Sequence, residues 1–365
     1  MSLRPDETIQ KILISTTSRF VGEYESPDLL IAHAWGGFAS PLSSIREEEN
    51  PASRSAFIVS FKTQPYVKAP GVVVPDYSPI GDVMCSYLSV LFGKRFDCHG
   101  LIEGSGFFHT PDLNLYNGIC NHRLSFNSHQ PRKCFGIPLR LENISVFRPL
   151  LFSEVADEKL ISIIRTACKF YHQALQSAEH DPEIGYLNLI TAGEIMSSCF
   201  EFTDDEVLDS ETINMLEAIR NGLGGGKKIA SHLRGRMLSV KKRFVRSLIQ
   251  LLASDFFEGS ESSHDFNQFK SDAIESNIKS AYDLRSRYVH TGVSFGQWVR
   301  TSNGRGDIQF GRPVVPDKDY ARTLEKAPTF QGLERLIRYC LLRMIESKGV
   351  ADFSKLPIGL EKMVD

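Results

Sequence analysis

Arg285 and His290 are the residues whose types and spacing could do chemistry. A histidine titrates near neutrality, so it can take and return a proton at working pH. A guanidinium is a fixed cation that grips an anion through two parallel N–H donors. Together they suit acid–base work on an anionic group. They sit in Tyr282-Asp-Leu-Arg285-Ser-Arg-Tyr-Val-His290, followed by Thr291-Gly292, on a stretch whose apolar line runs through Ile274, Ile278, Ala281, Tyr282 and Tyr288. Arg285 is seven residues after Ile278, hence within roughly 20° of it on a helix wheel. The arginine falls on the face that should be buried, where an unpaired charge is costly. It therefore needs a partner, a water-filled cleft or a second subunit. His290 points about 140° away, so the two converge only if the last turn loosens or two copies of the helix meet. Both also have a plain structural use. A histidine near a helix C-terminus complements the dipole, and an inner-face arginine bridges to a carboxylate on a neighbouring helix.

The elements that must position this pair change character near residue 150. Before it the chain is mixed and strand-leaning. Ala56–Phe61, Gly71–Val74, Cys98–Ile102 and Ile144–Leu151 are β-prone, and a helix is expected from Ile80 to Leu91, stopped by Gly93. After Ser153 the apolar spacing is helical: Leu160 to Tyr171, a segment opened by Pro182, Glu206 to Arg220, a long stretch from Ile229 to Phe257 with Gly235 as a candidate interruption, and Phe266 to His290. Residues 292–327 read as an insertion, with a β-hairpin over Trp298–Phe310 turning at Asn303-Gly304. A last helix runs from Pro328 to Lys348 and ends at Gly349. The expectation is an α+β domain over 1–152 and an all-α helical domain over 153–365.

The flanks of the Arg/His pair carry more than its spacing. Tyr282-Asp-Leu-Arg285-Ser-x-Tyr-Val-His290-Thr-Gly292 resembles the signature helix of the HEPN superfamily, in particular its ApeA-like branch. Tyr186-Leu-Asn-Leu-Ile-Thr-Ala-Gly-Glu194 resembles the early helix of that fold with its inward glutamate. The resemblance spans about residues 155 to 349, with one departure. Ser286 stands where many active members carry Asn, Asp or His. It implies an all-α HEPN-like bundle and a metal-independent endoribonuclease, usually dimeric, that pairs two such helices in one cleft. In that role His290 is the base or acid for 2′-OH attack and Arg285 clamps the scissile phosphate. Tyr282 and Ser286 orient them, and Glu194 holds Arg285. By analogy such proteins are prokaryotic defence or abortive-infection effectors that act on RNA and use no cofactor. The rival expectation, favoured by Ser286, is a non-catalytic HEPN-like module that binds RNA, a nucleotide or a protein.

Charge and composition bound these readings. The 365 residues carry 42 Lys/Arg against 44 Asp/Glu, so RNA contact must rest on a local patch. The candidate is an acid-free run from 227 to 246: Lys227, Lys228, Arg234, Arg236, Lys241, Lys242, Arg243 and Arg246. Its bland alternative is a solvated helix face. Gly222-Leu-Gly-Gly-Gly226-Lys227-Lys228 lacks the spacing of a phosphate loop and reads as a turn. Cys98, His99, His109, Cys120, His122, His129 and Cys134 crowd 37 residues without the usual zinc spacing, so buried thiols and loop histidines are the expectation. Gly104-Ser-Gly106 is not a nucleophile elbow, and Arg305-Gly-Asp307 reads as a chance tripeptide. Seven cysteines with no CxxC pair, no long apolar run and a polar start suggest a cytoplasmic chain without a membrane span.

Overall fold

Strand β1 (Thr8–Thr16) is the spine of the N-terminal half. The computed structural model describes residues 2–34, 54–65, 70–71, 73, 75–118, 120–135, 139–152, 154–202, 210–237, 240–300 and 306–356. β1 pairs antiparallel with β5 (Ser55–Thr63) on one side and β6 (Phe96–Gly104) on the other, Ile12 facing Val59 and Ile14 facing Cys98. Strands β3 (Tyr24–Glu25), β4 (Leu29–His33) and β7 (Phe107–Phe108) extend a six-stranded sheet in the order β3-β4-β5-β1-β6-β7. A separate parallel pair joins β2 (Phe20–Val21) to β8 (Leu139–Arg140). Helix α1 (Ser78–Phe92) packs on β1 and β6, begins with a proline in its first turn, and stops at Gly93 with φ +62°.

The C-terminal half is mostly helical. Helix α2 (Glu158–Ser177) starts at Asp157, whose carboxylate accepts the Leu160 N–H, and α3 (Pro182–Ser197) starts in the same way at Asp181. Next come α4 (Ser210–Gly222), α5 (Gly226–Met237), α6 (Val240–Ile249), α7 (Ile274–Thr291), α8 (Lys318–Lys326) and α9 (Phe330–Ser347). One hydrophobic cluster runs from Ile12 and Phe57 of the sheet through α1, α2 and α3 to Phe353, so the two halves share a core.

Helix α9 lies in the middle of that core and is buried nearly all round, charges included. Its Glu334 accepts both terminal nitrogens of Arg132 at 2.9 Å and the Tyr171 hydroxyl. Its Arg335 forms a two-pronged pair with Asp307 at 2.9 and 2.7 Å. Buried charges persist only when matched in this way. Asp307 also accepts the Phe269 N–H and the Ser260 hydroxyl. The residue read as part of a chance tripeptide is thus the hub that ties the 260–269 loop to α9.

Several expectations need correction. Ile144–Leu151 is not a strand but a 3₁₀ helix followed by a helical turn at Arg148–Leu151, with Pro149 in its first turn. Of Gly71–Val74, Gly71 and Val73 are not in a strand, and residues 72 and 74 lie outside the described residues. The stretch from Ile229 to Phe257 is divided among α5, α6 and a turn at Ser254–Glu258, and Gly235 lies inside α5. Helix α7 starts at Ile274, eight residues later than expected, after a 3₁₀ turn at Asp265–Asn267. The hairpin is not formed as drawn. Trp298 and Val299 belong to a helical turn, Gly296–Val299, and Ile308 makes an isolated bridge to Pro328. Its tip, 301–305, lies outside the described residues, as do residues 206–209 of the segment expected from Glu206. The insertion instead contributes α8, capped by Asp317 through the Asp319 and Tyr320 N–H groups.

Candidate functional site

Helix α7 buries Ile274, Ile278, Ala281 and Leu284, and this face fixes its rotation. Arg285 therefore sits at the edge of the buried stripe, half-buried. Its partner comes from α3, where Glu194 places one carboxylate oxygen 3.5 Å from Arg285 Nη2. The other oxygen accepts the Tyr282 hydroxyl at 2.8 Å. The guanidinium also lies 5.7 Å from the Tyr282 ring centre. Glu194, Tyr282 and Arg285 thus form one connected group. Burial first, and then the neighbouring Glu194 carboxylate, push the Tyr282 phenol up to about 12, so it remains a hydrogen-bond donor at neutral pH.

The close approach of α3 to its neighbours depends on Gly193. A Cβ there would lie 2.5 Å from the Phe244 ring of α6 and 3.0 Å from Ile337 of α9. Phe244 in turn meets the Tyr282 ring at 5.4 Å. Glycine beside Glu194 lets three helices converge where that carboxylate must reach.

His290 lies on a different face. It is exposed, and within the described residues it makes no hydrogen bond or ion pair. The helix does not loosen before it. Gly292, with φ +69°, closes the end through its N–H to the Tyr288 carbonyl at 2.9 Å, an ordinary α-helical step. The expected loosening of the last turn is therefore absent, and within one chain His290 diverges from Arg285. The turn beyond is firmly held. Glu183 at the start of α3 accepts the N–H groups of Phe295 and Gly296 at 2.7 and 2.8 Å and the Ser294 hydroxyl. Arg287 pairs with Asp317 at 2.7 Å and lies over the Tyr320 ring at 4.4 Å, which docks α8 beside the His290 end. Ser286 is half-buried and makes no hydrogen bond among the described residues.

The basic run is split between two helices. Lys227 and Lys228 are exposed on α5, while Arg243 and Arg246 are exposed on α6. Lys242 is half-buried, and Lys241 is already paired with Asp283 of α7 at 2.5 Å. The side chains of Arg234 and Arg236 lie outside the described residues. Helix α6 crosses α7 antiparallel, with Lys241 beside Asp283 and Arg246 acting on Glu275. Its exposed cations follow α7 toward its start, away from His290.

Of the Cys/His residues of the N-terminal half, His122 and His129 stack with ring centres 5.2 Å apart. Among the described residues no three His, Cys, Asp or Glu side chains form a metal-sized group. One arrangement that no motif announced is Ser15, His99 and Asp112. The His99 Nδ1 lies 2.8 Å from the Asp112 carbonyl, so Nδ1 carries the proton and Nε2 accepts from the Ser15 hydroxyl at 2.8 Å. This is the geometry of a hydroxyl with its base. Yet Ser15 and His99 are only 0% and 2% exposed, and Arg54 also donates to the Ser15 oxygen at 3.1 Å. No substrate reaches that hydroxyl. The group ties β1 to β6 and to the residue preceding β5.

No helix among the described residues is long and apolar enough to cross a membrane. Comparisons with protein-family models, with curated proteins and with solved structures find no match for this chain.

Proposed function

We propose that the chain is a metal-independent endoribonuclease of HEPN type whose site is completed by a second copy of α7. The observation that carries this reading is the Glu194–Tyr282–Arg285 group, which presents a guanidinium at a half-exposed edge while His290 stays exposed and uncommitted. A cation held by a second carboxylate-bearing helix is oriented before substrate arrives, which is what stabilising a developing phosphorane charge requires. Two helices related by a twofold axis would bring His290 of each copy toward Arg285 of the other.

In the proposed reaction one His290 takes the 2′-OH proton as that oxygen attacks phosphorus. Water supplies the proton to the departing 5′-oxygen and the histidinium gives its own to solvent, so each site needs one His290 from one copy and one Arg285 from the other. The products are a 2′,3′-cyclic phosphate and a 5′-hydroxyl, and Arg285 bears the charge of the intermediate state. The exposed cations of α5 and α6 would hold the flanking RNA backbone. A defence or abortive-infection role follows from resemblance to the HEPN superfamily.

A second reading has its own support: Arg285 and His290 diverge within one chain, and Glu194 already answers the Arg285 charge. On that reading the domain binds RNA, a nucleotide or a protein without cutting. Incubation of purified protein with total RNA in EDTA, followed by end-group analysis, separates the two. Cyclic-phosphate ends that disappear in Arg285→Ala and His290→Ala support the nuclease. Intact RNA with retained binding supports the binding module.

A further inference from the structure

A cavity of about 330 Å³ opens between Lys133-Cys134 of the sheet half, the turn at 255–261 and helix α9. That volume lies within the range of small-molecule sites, which favour such junctions. Its walls are braced from behind. Arg335 is held by Asp307 and by the Phe256 carbonyl at 2.8 Å, and it lies over the Phe256 ring at 4.1 Å. The Tyr339 hydroxyl donates to Asp255 at 2.6 Å.

Two wall residues are incompletely matched among the described residues. Arg338 is 5% exposed, and its N–H groups go to the carbonyls of Val90 and Leu91 at 2.8 and 2.6 Å and to Cys134 Sγ at 3.4 Å. All three partners are neutral. Glu261 gives one oxygen to Arg132 at 2.6 Å, while its Oε2 is buried without a hydrogen-bond partner. Burial raises the pKa of this carboxyl, but Arg132, with Arg335 and Arg338 beyond it, outweighs burial and brings it to about 2, so it is ionised. Among the described residues the two form no ion pair with each other. A buried guanidinium hydrogen-bonded only to neutral groups and a buried carboxylate oxygen without a donor are both costly. One compact ligand with an anionic group and an N–H donor would satisfy them together. Asp255, Glu258 and Glu261 on the same wall oppose a polyanion such as a nucleoside triphosphate.

We propose that this cavity binds a small zwitterion of the amino-acid type, its carboxylate on Arg338 and its ammonium on Glu261, with Tyr339 and Leu342 beside its side chain. The test uses the full chain, without RNA, and so stands apart from the nuclease reading. The proteinogenic L-amino acids are titrated one by one by calorimetry and thermal shift. In parallel, iodoacetamide labelling of Cys134 is followed by peptide mass spectrometry, with the half-buried Cys98 and Cys199 as internal references. At least one amino acid should bind at sub-millimolar concentration, raise the melting temperature, and slow labelling of Cys134 alone. Glu261→Gln should weaken that binding by about tenfold or more, the loss expected for one charge-assisted contact. Cys134→Leu, which adds bulk to the cavity wall and leaves the Arg132 pair in place, should abolish it. Acetate and ethylamine, each carrying one of the two charges, should not compete. The proposal is overturned if no amino acid binds at millimolar concentration, or if binding survives both substitutions or leaves Cys134 labelling unchanged.

Discussion

Replacing Glu334 with glutamine tests what holds the two halves together. The side chain is fully buried in α9, accepts both terminal nitrogens of Arg132, and takes the Tyr171 hydroxyl. Glutamine keeps the volume, so the change removes charge rather than packing. It leaves the Arg132 guanidinium, itself buried, with Glu261 as its one remaining carboxylate. Breaking a buried pair from one side typically costs about 3–5 kcal/mol. Unfolding entropy near the melting point is about 2.1 cal/mol/K per residue, so for 365 residues it is roughly 0.8 kcal/mol/K. The expected fall in melting temperature is therefore roughly 4–7 °C. Scanning calorimetry should show it as one lowered transition, because sheet and helices share a core. A shift under about 1 °C, or a transition that splits in two, would refute the view that this pair is part of a single cooperative core.

Other substitutions probe the candidate site and its frame. Gly193→Ala should destabilise by about 1–3 kcal/mol in denaturant melts, since the added methyl meets Phe244 and Ile337 at 2.5 and 3.0 Å. Glu194→Gln should bring the Tyr282 phenol down from about 12 toward its usual range, read by ultraviolet titration of tyrosinate. On the nuclease reading it should also slow cleavage by up to about a hundredfold through a misplaced Arg285, with binding little changed. Glu261 predicts an acid limb. Its folded pKa is depressed from 4.5 to about 2, so its stabilisation is complete above about pH 4.5 and is lost as pH falls toward 2. That contribution is roughly 3 kcal/mol. The stability gap between wild type and Glu261→Gln should be widest near neutrality and close in acid.

Much of the candidate site could be read before the structure because it rests on local rules. Apolar spacing places Arg285 near the buried face and Gly292 marks the helix end, whereas the carboxylate beside Arg285 is indicated only by the family resemblance of the Tyr186–Glu194 segment. The central strand β1 was missed because its burial runs through consecutive residues, Ile12 to Thr16, without the alternation that marks a half-exposed strand. The breaks in the long stretch after Ile229 fall beyond Gly235, the one candidate its residues offer, because periodicity does not register where one helix axis gives way to another. The Asp307 hub was invisible for a different reason. Its value comes from partners at 260, 269 and 335, and no local pattern carries that information. The same holds for α9, whose buried charges depend on Arg132 and Asp307 far along the chain.

The composite site is tested most directly by mixing inactive chains. Arg285→Ala and His290→Ala proteins are each purified, exchanged as subunits, and assayed on RNA in EDTA. If His290 of one copy serves Arg285 of the other, each mixed dimer regains one intact pair. Statistical exchange should then restore about a quarter of wild-type activity, half the dimers carrying one of two sites. Activity that stays at the level of the separate variants, while wild type cleaves, would contradict the composite site.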